Sequence, residues 1–94
     1  MPVITSFEEQ EEQFIATGIE LGLTFADVAR TEYLLGETQG GAMAQARAVR
    51  TCSDVERRLD AAEARGRPLG KFRDELHLLY KALESLSWYN RRVA

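Results

Sequence analysis

His77 is the only histidine in this 94-residue chain, and it follows Asp74 by three residues. On a helix that spacing places both side chains on one face, where they offer two metal ligands. A stable site needs three or four, and helical bundles that hold metals supply paired sets from facing helices. No such second set can be read here, so neither a metal nor a cofactor is expected. Cys52 is the only cysteine, which excludes an internal disulfide or a thiolate cluster within one chain. It falls on an apolar stripe, where a thiolate nucleophile is disfavoured. The glycine-rich "GETQGG" at 36–41 lacks the lysine and the preceding strand that a phosphate-cradling loop requires. The chain therefore reads as non-enzymatic.

Two clusters point to binding instead. Trp88, Tyr89, Arg91 and Arg92 combine the aromatic and arginine types enriched at contact hot spots, and they form the candidate partner-binding surface. Arg47, Arg50, Arg57, Arg58 and Arg65, followed by Arg67, Lys71 and Arg73, could instead track a phosphate backbone, which gives an alternative nucleic-acid reading. Against that alternative, Asp54, Glu56, Asp60 and Glu63 are interleaved, Asp54 and Arg58 form a favourable i, i+4 pair, and the pI is near 5.2.

These residues need helices to position them. Ser6-Phe7-Glu8-Glu9 is a capping box, so a helix is expected from Phe7, with Glu8, Glu9, Glu11 and Glu12 solvated near its positive end and Phe7, Phe14, Ile15, Gly18 and Leu21 on one side. Gly22 reads as its stop. Thr24 and Asp27 read as the cap of a second helix carrying Phe25, Val28, Ala29 and Leu35. Gly36, Gly40 and Gly41 each cost about 1 kcal/mol inside a helix. Gly36 is accordingly expected to cap the second helix and 36–41 to form a turn. A third helix follows over about 42–65, alanine-rich, with an inward stripe of Ala48, Cys52, Val55, Leu59 and Ala62; Gly66 and Pro68 end it. The last, over 69–91, carries Leu69, Phe72, Leu76, Leu79, Leu83 and Leu86 at 3, 4 spacing, a heptad seam widened by Tyr80, Ala82 and Tyr89. Only Val3 and Ile4 are consecutive β-branched apolar residues, so no sheet is expected.

Length and charge bound the rest. A chain of this size forms one domain, 1–94, with a thin stability margin. The net charge of −3 conceals polarity: residues 1–37 carry −7 and residues 38–94 carry +4, which suits two charge-complementary layers of one bundle. No apolar run is long enough to cross a bilayer, and the acidic start does not read as a secretory peptide, so a cytoplasmic location is expected.

The stretch "FADVARTEYLLGETQGGAMAQARAVRTCSDVERRL", residues 25–59, resembles a degenerate tetratricopeptide-type helical hairpin. Phe25 stands for the bulky residue that opens the first helix, Ala29 for the small residue that admits the second, and Gly36 for the terminating glycine. The turn is longer than in that family, and the hairpin's final proline is missing. The resemblance implies a peptide-binding or assembly module and carries no site residue over. "WYNRRV" after a leucine-rich helix is similar to encapsulin-cargo ferritins, but the Glu-x-x-His helix those proteins need is absent. "LTFADVAR" resembles the opening helix of a helix-turn-helix, although helix-forming residues continue to Leu35 where the turn should come.

The expectation is an all-α bundle of four helical segments ending in a long antiparallel hairpin of 42–65 and 69–91. Its expected role is protein interaction or assembly, with a protein partner or itself, and a dimer is the favoured homo-oligomer.

Overall fold

The computed structural model describes residues 6–93, with side-chain surroundings through Ser87. Among the described residues every regular element is helical: α1 (Phe7–Leu34), α2 (Thr38–Ala64) and α3 (Gly70–Val93). The sequence reading expects four segments, and the structure has three because the first two are one helix.

Helix α1 starts as its capping box predicts: the Ser6 hydroxyl oxygen accepts the Glu9 backbone N–H at 3.1 Å. It then runs straight through Gly22. That glycine has no positive φ; it is buried, and a methyl group on it would lie 2.7 Å from a Leu79 methyl. Gly22 is therefore a notch for α3 and not a stop. Thr24 does not cap a new helix either, since its hydroxyl donates to the Glu20 carbonyl at 2.9 Å, a bond made inside a continuing helix. Asp27 pairs with Arg30.

The true end of α1 is set by Gly36, at φ +81°. The Gly36 N–H donates to the Tyr33 carbonyl and the Glu37 N–H to that of Glu32, which together make a Schellman motif. The turn is shorter than expected, because α2 begins at Thr38 and takes in Gly40 and Gly41. Gly41 is buried against the Tyr33 ring, which leaves no room for a side chain. The same Schellman geometry closes α2 at Gly66, φ +84°, and Pro68 precedes α3 as predicted.

The buried face of α1 is Ile15, Ile19, Gly22, Ala26, Ala29 and Tyr33, joined by Glu11. Phe7, Phe14 and Leu21, expected inward, are 63%, 45% and 46% exposed, and Val28 and Leu35 also face out. Their seven-residue spacing aligns them with one another, but on a stripe rotated away from Ile15 and Ile19. Small residues win the inner face because they let α2 and α3 approach closely. On α2 the expected stripe is buried as read, extended by Gly41 and Ala44. Leu69, just before α3, and Phe72, Leu76, Leu79 and Leu86 on it are buried, and Leu83 is partly so. Tyr80 is exposed and does not widen the seam.

The core has two parts. One gathers Ile15, Ile19, Val55, Leu59, Leu76 and Leu79 with their neighbours. The other is built from Ala26, Ala29, Ala44 and Ala48 around Tyr33 and Leu86, and Leu83 touches both. The molecule is elongated, with extents of 52 × 28 × 16 Å.

Candidate functional site

The side chains of Trp88, Tyr89, Arg91 and Arg92 lie outside the described residues, which show only that α3 continues to Val93. His77 and Asp74 are both exposed on α3, and among the described residues no three His, Cys, Asp or Glu side chains converge. Cys52 is buried, and burial, with Glu56 secondary, pushes its thiol above the ordinary range, against nucleophilic use. No helix of the described residues is long and apolar enough to cross a membrane.

The five arginines of the alternative site, Arg47, Arg50, Arg57, Arg58 and Arg65, fall within a sector of about 100° on α2 at 3.6 residues per turn. That sector borders α1, and three of its members have aromatic partners there. Arg47 lies 6.0 Å from the Phe25 ring centroid, Arg58 lies 4.4 Å from that of Phe14, and Arg65 lies 5.5 Å from that of Phe7. The residue numbers of each pair add to the same total, so α1 and α2 run antiparallel in one unbroken register. The remaining charges are partly committed. Arg57 pairs with Asp54 in place of the expected Asp54 to Arg58 pair, because Arg58 is drawn over Phe14.

Between the two helices runs a groove of about 450 Å³, lined on α1 by Gln10, Phe14, Gly18 and Leu21 and on α2 by Thr51 and Val55. Through Phe14 and Asp54 it joins a hollow of about 470 Å³ walled by Arg57, Arg58 and Ala61. Gly18 lets the two helices close up under the groove, since the space its side chain would occupy is filled by a Val55 methyl, 2.5 Å from where a Cβ would stand. Along its outer edge the exposed stripe continues through Leu21, Val28 and Leu35.

The two banks differ electrostatically. Gln10, Thr17, Thr24 and Thr31 each stand three residues beyond a stripe residue, so the α1 bank is uncharged. The α2 bank carries the five arginines, of which Arg57 pairs with Asp54 and Arg65 with Glu11. Such a groove has an apolar floor, a polar side and a cationic side.

Sequence reasoning finds the arginines and misses what they cover. A usable signal is present: Phe7, Phe14 and Phe25 are spaced 7 and 11, and Arg47, Arg58 and Arg65 are spaced 11 and 7, the mirror order that antiparallel neighbours require. No family model, curated protein or solved structure matches the chain.

Proposed function

We propose that the protein is a non-enzymatic interaction or assembly module, acting in the cytoplasm on a protein partner or on a second copy of itself. The observation that carries this reading is the exposed apolar stripe Phe7, Phe14, Leu21, Val28 and Leu35 at strict seven-residue spacing. Contiguous exposed apolar surface marks contact sites, and a heptad period is what a packed partner helix reads. Antiparallel packing of 42–65 on 69–91 gives the groove rigid backing in this reading. The tetratricopeptide-type resemblance of residues 25–59 supports it as well: Ala29, Ala48, Cys52 and Val55 are all buried and Gly36 ends α1, although Phe25 lies within that helix and not at its start. The surface of Trp88, Tyr89, Arg91 and Arg92 is a second contact region in the same reading.

Polyanion binding by Arg47, Arg50, Arg57, Arg58 and Arg65 is the rival. The seating of three of these guanidinium groups over phenyl rings favours the protein reading, since each such contact is worth about 0.5–1 kcal/mol at an exposed site.

Light scattering after size exclusion, at low and high salt, tests the proposal together with pull-down from a host lysate. A dimer or a retained protein partner, weakened by Leu21→Glu or by removal of residues 88–94, is the expected result. A monomer in every condition that retains no protein would overturn it. Salt-dependent binding of DNA or RNA lost on charge reversal of Arg57 and Arg58 would replace it with the rival.

A further inference from the structure

Resting on the interaction-module reading, we infer that the groove between α1 and α2 receives an acidic amphipathic helix from another protein chain. Three features of the groove define that occupant. The floor of Phe14, Gly18, Leu21 and Val55 is apolar and concave, and the α1 stripe repeats every seven residues, so the occupant presents an apolar seam of the same period. The arginine–ring contacts that follow the groove extend from Phe7 to Phe25, about 27 Å at 1.5 Å per residue, which corresponds to a helix of about 18 residues. The bank opposite the uncharged one holds Arg47, Arg50, Arg57, Arg58 and Arg65; Asp54 pairs with Arg57 and Glu11 with Arg65, which leaves Arg47, Arg50 and Arg58 to select carboxylates along one flank of the incoming helix.

The arginines serve as a movable cover. In the free protein Arg58 lies over Phe14 of the stripe and Arg47 over Phe25 beside it, and both hide apolar surface from water, while Arg65, over Phe7, is held at that end by Glu11. Carboxylates on the incoming helix draw the Arg47 and Arg58 guanidinium groups outward and expose their rings to its apolar residues. Charge pairing and apolar burial then come from one movement. A basic helix would leave the rings covered and face repulsion along the whole bank. Duplex nucleic acid would meet the charges but leave the apolar floor wet, and a flat anionic bilayer does not enter a groove between two helices.

The test uses the full chain and three synthetic 20-residue helical peptides. One has leucine at heptad positions and glutamate on the flanks, its twin has lysine for glutamate, and the third is a scrambled acidic control. Binding is read by fluorescence anisotropy at low and high salt and by backbone amide shifts of the 15N-labelled protein. The acidic peptide is expected to bind at least about tenfold tighter than its lysine twin and the scrambled control, with the advantage shrinking in salt. Amide shifts should centre on Thr17, Gly18 and Thr51. Leu21→Glu and the pair Arg50→Glu with Arg57→Glu, all at exposed positions, should each lose about tenfold while the circular dichroism is unchanged.

Equal binding of the twins, no binding of the acidic peptide, or shifts centred on the exposed Leu78 and Tyr80 of α3 would overturn the inference. So would phosphatidylserine vesicles displacing the bound peptide. If a partner is retained in pull-down and unaffected by Leu21→Glu, the inference fails while the interaction-module reading stands. A protein that retains no partner and stays monomeric fails the latter.

Discussion

A methyl group placed on Gly41 would sit 2.5 Å from two carbons of the Tyr33 ring, whereas one on Gly40 would meet only the Glu32 carboxylate, at 2.9 Å. The ring is fully buried and its hydroxyl donates to the Gln45 side-chain oxygen at 2.6 Å, so it has nowhere to go. The carboxylate ends a flexible side chain and can swing aside. Gly41→Ala should therefore destabilise by about 1–3 kcal/mol through overpacking. Gly40→Ala, in the same helical turn, should be neutral or stabilising by up to about 1 kcal/mol through helix propensity. Chemical denaturation of the two variants checks this, and equal effects would remove the packing explanation. The contrast also shows what was legible at this scale. Gly36 and Gly66 were readable as caps because a polar turn or a proline follows each. The neighbours of Gly22 and Gly41 in space, Leu79 on another helix and Tyr33 across the turn, are not neighbours within one helix, and propensity alone turns both glycines into breaks.

At the scale of elements, α2 and α3 were read nearly to their ends because their buried stripes repeat at 3, 4 spacing and nothing competes with them. In α1 two stripes compete. Phe7, Phe14 and Leu21 have the greater bulk, yet Ile15, Ile19, Gly22, Ala26 and Ala29 take the core because helices sitting this close need small contacts. A continuous α1 makes a definite prediction. Amide hydrogen exchange should show Leu21, Gly22 and Leu23 as protected as Ile19 and Ala26, where a stop at Gly22 would leave a fast-exchanging gap. Gly22→Ala should lower stability by about 1–3 kcal/mol, because the new methyl would meet a Leu79 methyl at 2.7 Å and Leu79 is fully buried, so it must shift within packed core. An unprotected gap would restore the two-helix picture, whereas a stabilising Gly22→Ala would remove the packing explanation.

Across the whole molecule, the charge polarity of the sequence is spent at one end of the bundle, where an acidic helix start meets a basic helix end. The left-handed turn at Gly66 aims Arg67 back at α1, where it donates to the Glu8 carbonyl at 3.1 Å and pairs with Glu12 at 3.0 Å. Glu11, only 4% exposed, receives both Arg65 and Arg67, the latter at 3.4 Å. Its burial was not legible, because "EEQEEQ" reads as a uniformly solvated face until Arg65 and Arg67 are known to fold over it. The Arg65 hydrogen bond lowers the Glu11 carboxyl below its ordinary value of 4.5, against the opposing effect of desolvation and with help from the Arg65 charge and from Arg67. A depressed folded-state value means that this clasp stabilises fully above about pH 4.5, and that its contribution fades as pH falls below 4.5 through the lower folded value. Glu11→Gln removes the charge and leaves two arginines facing a neutral group, for a loss of about 1–3 kcal/mol at pH 7. Thermal melts of the wild type and Glu11→Gln should therefore lie well apart at pH 7 and converge as the pH is taken well below 4.5. A separation that stays constant with pH would mean that Glu11 contributes through shape alone and that the acidic and basic ends of the chain are not held together by charge.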